Sequence, residues 1–340
     1  MKAALAVLAA LLLVLGLSTT AAMANPPAPA APATQAAGQS NSNDQTATSN
    51  ATSTQTAPTN YNIPVRVLSS GDDGSVSQSN DSTAASGAVN LNKTDQSTGQ
   101  KQSGAGVQAA GQDNANDQSA DSSATSTQDH ATNYNIPVRV LSDGNDGSVE
   151  QSNSSTALSV AANANKTDQD IHQHQAGGGG SGAPYVQAAG QENASDQSAD
   201  STATSTQDHA TNYNIPVRVL SSGNGGSVEQ SNSSTALSVA ANLNKTDQHI
   251  GQHQAGGGYS IAPYVQAAGQ DASNYQDAGS TATSTQSHAT NYNIPVRVLS
   301  DGNDGSVEQS NSSFAGSLAL NANALCQSIW QQQGGLMLRP

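Results

Sequence analysis

Ten residues, Asn133-Tyr134-Asn135-Ile136-Pro137-Val138-Arg139-Val140-Leu141-Ser142, decide how this chain is organised. The same ten residues begin again at Asn60, Asn212 and Asn291, so successive copies are 73, 79 and 79 residues apart. A second marker, Gln-Ala-Ala-Gly-Gln, recurs with the same steps and begins at Gln35, Gln108, Gln187 and Gln266. Self-similarity at a fixed period is the signature of a repeat architecture. The chain therefore consists of four tandem units.

These markers set the expected division of the chain. We predict repeat units over residues 35–107, 108–186, 187–265 and 266–330, the last ending in an apolar cap. A Pro- and Ala-rich lead-in at 25–34 and a tail at 331–340 are expected to lie outside the repeats. Asp170 to Ala183 is rich in Gly, Gln and His, and it is interpreted as a flexible connector between units.

The first 24 residues have the pattern of a secretory signal peptide. Met1-Lys2 is basic, residues 3–17 are continuously apolar, and Ala22-Met23-Ala24 matches a signal-peptidase site. We predict cleavage after Ala24 and a secreted, extracellular or cell-surface chain. The later sequence has no apolar stretch long enough to span a membrane. The single cysteine, Cys326, excludes an intrachain disulfide framework.

Composition argues against several classes of protein. Only 34% of the 340 residues are hydrophobic, and 3% are aromatic, which is little material for a conventional core. The net charge is −15, from 25 acidic and 10 basic residues, with no basic patch to neutralise phosphates. This argues against a nucleic-acid partner. Because a unit this small and polar is not expected to be stable alone, the units must stack on one another.

The ten-residue stretch has the period of a β-strand, in which alternate residues share a face. Tyr134, Ile136, Val138 and Val140 fall on one face and are the only run of large side chains in the unit. We expect Ile136, Val138 and Val140 to form the apolar strand of a thin core. Proline cannot donate to a strand ladder, so Pro137 is expected at a corner or an outer edge.

A second stretch alternates even more regularly, and all four units carry the same residue types at its small positions. In the second unit these positions, predicted to form a structural ladder, are Ala157, Ser159, Ala161, Asn163 and Asn165. The residues between them vary among Leu, Val, Ala and Gly, as on a packed apolar surface. Stacked units would place identical residues above one another and add Asn and Gln side-chain ladders. The predicted fold is all-β, solenoid-like or built of stacked strands.

The end of the fourth unit departs from the others. Lys166-Thr167-Asp168 corresponds there to Ala324-Leu325-Cys326, followed by Ile329 and Trp330. This is either a degenerate terminal repeat or an apolar cap and docking surface formed by Leu325, Cys326, Ile329 and Trp330.

Part of the second stretch resembles a known family. Asn163-x-Asn165-x-x-x-Gln169, preceded by alternating Ser and Ala, is similar to the Asn-x-Ala-x-x-x-Gln portion of curlin-type repeats. The resemblance covers a short part of each unit, and the Ala of that pattern is Asn165 here. Curlin-type repeats belong to secreted bacterial functional amyloids, so the resemblance implies self-stacking into extracellular fibres.

Sites for chemistry are weak in this sequence. His172 with His174 and His249 with His253 could each offer two imidazoles, but their spacing changes between units and the first unit has no histidine. No nucleophile lies in a strained-turn motif, so we predict no enzyme activity, no metal and no cofactor. The one Arg of each unit, such as Arg139, is expected to neutralise nearby acids.

The predicted function is structural: a secreted repeat protein of the bacterial cell envelope or extracellular matrix that self-associates by strand stacking. An adhesin or a glycan- or ice-binding module, partnered with cell-surface or matrix components, is the alternative. Alternating threonines at Thr202, Thr204 and Thr206 resemble the arrays of ice-binding solenoids, although a solvated polar strand is favoured for them. A disordered matrix spacer is the third possibility.

Overall fold

The computed structural model describes residues 19–23, 33–104, 106–177, 185–255 and 264–334. Its regular elements are all β-strands, which confirms the all-β, stacked-strand prediction. Among the described residues there is no helical segment with the length and apolar character that crossing a membrane requires.

Each repeat unit forms one coil, made of a strand of 24 residues, two short strands and a strand of 28 residues. A short strand precedes the first coil, β1 (Thr19–Met23). Coil 1 contains β2 (Ala33–Thr56), β3 (Thr59–Asn62), β4 (Val65–Val67) and β5 (Val76–Ser103). Coil 2 contains β6 (Gly106–Asp129), β7 (Thr132–Asn135), β8 (Val138–Val140) and β9 (Val149–Ala176). Coil 3 contains β10 (Tyr185–Asp208), β11 (Thr211–Asn214), β12 (Val217–Val219) and β13 (Val228–Ala255). Coil 4 contains β14 (Tyr264–Ser287), β15 (Thr290–Asn293), β16 (Val296–Val298) and β17 (Val307–Gly334).

Equivalent strands of successive coils pair in parallel, so the backbone hydrogen bonds run between coils. The two large sheets have the orders β1-β5-β9-β13-β17 and β14-β10-β6-β2, and the short strands form β15-β11-β7-β3 and β16-β12-β8-β4. The register matches like with like, for example Asn163 with Asn242 and Asn90. This architecture is a flattened β-solenoid with four rungs.

The two long strands of a coil run in opposite directions on facing sheets. Gln55 donates to the backbone of Asp81 at one end, and Gln35 donates to the backbone of Lys101 at the other. Where the facing residues are small, hydroxyls meet directly: Ser82 Oγ donates to Ser53 Oγ at 2.9 Å. The interior is therefore a thin layer between two sheets.

Small and polar side chains fill this interior. Two rows of stacked alanines, one including Ala157 and the other Ala161, run through all the coils. Ile171 and Ile250 form a third apolar row. Most of the other interior rows are Gln, Asn and Ser, with a row of Thr and one of Arg, and hydrogen bonds between these side chains reduce the cost of burying polar groups.

Proline and glycine lie where the regular ladder stops. Pro137, expected at a corner or an outer edge, falls in the break between β7 and β8, as do its equivalents in the other coils, and its side chain is buried. Gly144, in the loop before β9, has φ +141°, and a Cβ there would lie 2.1 Å from the Gly71 carbonyl oxygen. Only glycine permits both that backbone conformation and that approach of neighbouring coils.

The prediction of a flexible connector is wrong for the first half of its length. Asp170 to Ala176 continues β9, with Gln173 and Gln175 buried in the interior. These glutamines bond to the coil below and to the facing sheet, so the polar composition reflects a ladder rather than mobility. Residues 178–184 lie outside the described part of the chain.

The chain ends also differ from the expected boundaries. Thr19–Met23 of the predicted signal peptide pairs as β1 with Asp95–Gly99 of β5. Residues 1–18 and 24–32, which hold the rest of that segment and most of the lead-in, lie outside the described residues. At the other end β17 continues to Gly334, four residues into the predicted tail, and 335–340 are not described.

Candidate self-association surface

The predicted structural ladder lies in the interior and connects every coil. Ala157, Ser159, Ala161, Asn163 and Asn165 are all buried. Each Asn163 equivalent donates from Nδ2 to Oδ1 of the next coil at 3.0 Å, from Asn90 through Asn163 and Asn242 to Asn321. The Asn165 column does the same at 2.8–2.9 Å.

Asparagine and glutamine columns run with opposite sense. Asn133 donates to Asn212 of the following coil, at 2.8 Å. Gln187 donates to Gln108 of the preceding coil, also at 2.8 Å. The other interior amide columns among the described residues keep these two directions. The stack is therefore polar, and its two ends present different groups.

The arginine that recurs once in each unit forms a column of ion pairs in the interior. Arg139 is fully buried and contacts Asp146 at 3.0 Å and Asp73 of the preceding coil at 2.8 Å. Its Nη1 also donates to the Gly71 carbonyl oxygen at 2.8 Å. Arg218 contacts the same Asp146 at 2.8 Å. These contacts support the expectation that the arginines neutralise nearby acids.

The expected apolar strand faces outward, which corrects the sequence interpretation. Asn133, Asn135, Pro137 and Arg139 line the interior, whereas Ile136, Val138 and Val140 lie on the outer surface. In the same outer row Tyr134 stacks on Tyr61 and Tyr213 with ring centroids 4.9 and 4.8 Å apart. Stacking of identical side chains at the strand spacing buries part of each without enclosing it in a core.

The variable positions of the second stretch also face outward. Leu158 and Val160 lie on the outside of the β5-β9-β13-β17 sheet, with Leu237 and Val239 beside them. The residues expected to pack inside therefore form an outer apolar surface, and the small ladder residues face the interior instead. Short side chains suit the interior because the facing sheets lie so close together.

The candidate cap divides between two surfaces. Leu325 and Ile329 occupy the interior columns of Thr246 and Ile250, and they are exposed because no described strand lies beyond coil 4. Cys326 and Trp330 are paired with Asp247 and Gly251, on the outer face. The four residues thus do not form one patch: two continue the interior, and two lie beside it.

A histidine column at a corner of the coils was not identified from sequence. His130, His209 and His288 stack with ring centroids 4.7 and 4.4 Å apart. The signal available was a histidine at the same place in three units, two residues before the Thr-Asn-Tyr-Asn strand. Of the histidines that sequence analysis considered, His174 and His253 also stack, at 4.8 Å. Burial and the neighbouring His253 lower the pKa of His174.

Comparison with protein-family models, with curated proteins and with solved structures finds no match. The function of the chain is therefore argued from its own geometry.

Proposed function

We propose that this protein is a secreted structural component of the cell envelope or extracellular matrix that self-associates end to end into fibres or a coat. The observation that carries the proposal is that no strand among the described residues pairs with the outer edge of coil 4. Interior columns, including those of Leu325 and Ile329, stop there at solvent.

Uncovered edge strands favour association because they expose a row of unpaired backbone groups. β17 is 28 residues long and β14 is 24, and no proline or lysine interrupts either strand. Natural edge strands are usually short, charged or bulged to prevent pairing. The two long strands of coil 4 carry only three charged residues, Asp271, Asp277 and Glu308, so most of this edge suits pairing with another copy.

Column polarity favours a head-to-tail arrangement. In coil 4 the asparagines, such as Asn291, hold amide donors that point away from coil 3, and in coil 1 Asn60 presents the matching acceptor. Glutamine columns have the reverse sense, with Gln266 as acceptor and Gln35 as donor. A second copy stacked in the same direction would continue the columns that carry an amide in coil 4; the Asn41-Asn114-Asn193 column ends there in Ala272. Such a contact is heterologous and non-closing, which produces filaments.

The arginine column gives a charge complementarity between the two ends. Gly225 replaces the aspartate in coil 3, so Arg297 of coil 4 pairs with Asp304 alone, at 2.7 Å. Arg66 of coil 1 pairs with Asp73 at 2.6 Å and has no coil beneath it among the described residues. In a head-to-tail stack Arg66 would reach Asp304 of the neighbouring copy, as Arg139 reaches Asp73 within the chain.

The predicted signal peptide fits this arrangement. β1 covers Asp95–Gly99 on the β5 edge, where the next copy would pair. Cleavage after Ala24 would remove β1 and uncover that edge. The curlin-type resemblance of the Asn163 region agrees with an extracellular stacking role.

Electron microscopy and fibre diffraction of the purified protein test the proposal, with two adjacent substitutions as a matched pair. Ile329→Lys places a charge in an interior column at the end of coil 4, and we expect it to abolish or strongly slow assembly. Trp330→Lys places the same charge on the outer face, and we expect fibres like those of the wild type. A wild-type protein that stays monomeric, or an Ile329→Lys variant that assembles normally, would overturn the proposal. A disordered spacer would show no β-sheet signal by circular dichroism.

One observation supports ice or surface binding as a second candidate. Threonines form two complete outward columns across all four coils, Thr52-Thr125-Thr204-Thr283 and Thr54-Thr127-Thr206-Thr285. A third outward column, Asn50-Ser123-Thr202-Thr281, has threonine only in coils 3 and 4. Thermal hysteresis that is lost in Thr204→Tyr but kept in Ile329→Lys would favour this candidate over assembly.

A further inference from the structure

Three histidines occupy equivalent corner positions, one in each of coils 2, 3 and 4. His130, His209 and His288 each follow a 24-residue strand and adopt left-handed φ values of 52°, 51° and 51°. Coil 1 has Ala57 at this corner with φ 50°, so the turn itself does not require histidine. Because the coils stack in register, the repeated turn brings three imidazoles into one column.

Carboxylates accompany the histidine column. His130 Nδ1 lies 2.5 Å from Asp129 Oδ1, and His209 Nδ1 lies 2.9 Å from Asp208 Oδ1. Asp208 also approaches His288 Nδ1, at 3.4 Å. One ligand atom from each of Asp129, His130 and His209 falls within 4.8 Å of the others, and the same is true of Asp208, His209 and His288.

This donor set suits a divalent transition metal. Imidazole nitrogen and carboxylate oxygen are ligands of Zn²⁺ at about 2.0–2.2 Å, so tetrahedral ligand atoms lie roughly 3.3 Å apart. The His288–Asp208 separation of 3.4 Å matches that value, and the His209–Asp208 and His130–Asp129 pairs, at 2.9 and 2.5 Å, would have to widen to hold an ion. All three imidazoles are exposed, so an ion can enter from solvent and complete its shell with water. Such a site differs from Mg²⁺ sites, which are built from oxygen ligands and water.

The carboxylate at the centre of the column lies beside two imidazoles. Asp208 Oδ1 faces Nδ1 of both His209 and His288, and it accepts a hydrogen bond from the Ser287 hydroxyl. Asp208 is therefore positioned as an oxygen ligand next to both histidines.

We propose that this corner column is a binding site for Zn²⁺ or a similar divalent transition metal, with His209 as the ligand common to two alternative sites. One site consists of Asp129, His130 and His209, and the other of Asp208, His209 and His288. Each site joins two successive coils, so a bound ion clamps the stack at its corner. The inference is independent of end-to-end assembly, because the ligands all belong to one chain.

Calorimetric titration with Zn²⁺ tests the site. A third group, Asp170 with His172 and His249, also brings its ligand atoms within 4.8 Å, so the titration is done in a His172→Ala background. We expect one saturable Zn²⁺ per chain, a higher melting temperature with Zn²⁺, and no such change with Mg²⁺. Adding His209→Ala should weaken Zn²⁺ binding by roughly tenfold or more, because either site loses a ligand.

The design separates loss of a ligand from misfolding and from the loss of any stacked histidine. His209→Ala should fold, because Ala57 already occupies the same corner in coil 1. His174→Ala removes a stacked histidine that belongs to none of the three-ligand groups, so it should leave Zn²⁺ binding unchanged. Absence of saturable Zn²⁺ binding in the His172→Ala background, or equal binding after His209→Ala, would overturn the proposal.

Discussion

Coils 2 and 3 and the end coils are nearly the same in sequence, but their side chains have very different surroundings. Ile250 is 0% exposed in coil 3, and Ile329 in the same column of coil 4 is 47% exposed. The side chain of Arg139 is 1% exposed, whereas that of Arg66 in coil 1 is 31% exposed. A side chain in this fold is therefore fully buried only when a coil lies on each side of its own. Stability and association therefore draw on the same contacts.

The largest expected difference between middle and end coils concerns the arginine column. Arg139→Met should lower the free energy of unfolding by about 3 kcal/mol, because it leaves buried carboxylates and carbonyls without their donor. Arg66→Met should cost less than about 1 kcal/mol in the dispersed protein, because Asp73 keeps its bond to Arg139. Urea unfolding of both variants measures the difference.

The difference between Arg66→Met and Arg139→Met should become smaller in assembled protein. If copies stack head to tail, Arg66 gains a coil beneath it, so Arg66→Met should weaken assembled material more than the dispersed protein. Equal losses for Arg66→Met and Arg139→Met in the dispersed protein would contradict the distinction between end and middle coils.

A smaller effect is expected in the isoleucine column. Ile250→Val should lower the free energy of unfolding by about 1 kcal/mol, because it removes a methylene from a fully buried row. Ile329→Val removes the same group at an exposed position and should leave the dispersed protein almost unchanged. Thermal unfolding of the two variants tests this, and a loss of equal size at both positions would show that coil 4 is already covered.

The smallest effect concerns the outer face of the β2-β6-β10-β14 sheet. Burial, together with Asp121 and Asp277, raises the pKa of Asp200. The folded state then binds the proton more tightly than the unfolded state, so this group costs stability as pH rises through its unfolded pKa towards its folded one. Asp200→Asn should therefore stabilise the protein at pH 7 by about 0.5 kcal/mol at most, since the site is exposed and screened. That gain should disappear at acid pH.

Asp143 provides a control because its pKa is shifted in the opposite direction from that of Asp200. Hydrogen bonds from the Ser222 hydroxyl and backbone lower the pKa of Asp143. The stability that the ionised Asp143 carboxylate contributes is present at pH values above its pKa in the unfolded chain, and it is lost as pH falls through its pKa in the folded protein. Asp143→Asn is expected to lower stability at pH 7, and melting curves at several pH values compare the two variants. A stabilising Asp143→Asn would contradict this account.

The repeated small residues of the ladder could be recognised from the sequence, but their place in the interior and the outward position of the apolar strand could not. Strict alternation of Ala157, Ser159 and Ala161 identifies two faces of a strand, and the position of identical small residues in every unit identifies the stacked columns. Alternation alone does not say which face is enclosed. The larger face, with Ile136 and Val138, was assigned to the core by analogy with ordinary sheets, and the structure places it outside.

The functional columns were harder to predict than the fold. His130 and His209 are 79 residues apart, and only coil stacking brings their rings together. The same holds for Arg139 and Asp73, whose contact crosses from one unit to the next. A repeat in the sequence reveals that equivalent residues will align, but the chemistry of a column depends on which neighbours the turns bring beside it.

The amino-acid sequence by itself determined four units, β-strand periodicity and stacked rows of identical residues, because these follow from a fixed repeat length and alternating side chains. Which face became the interior follows from the packing of the two sheets. Most of the interior is filled by Ala, Ser and hydrogen-bonded amides, with Ile171 and Ile250 in one apolar row, while the Ile136 and Val138 face lies outside. No described strand covers coil 4, and that edge is the physical basis of the proposed association.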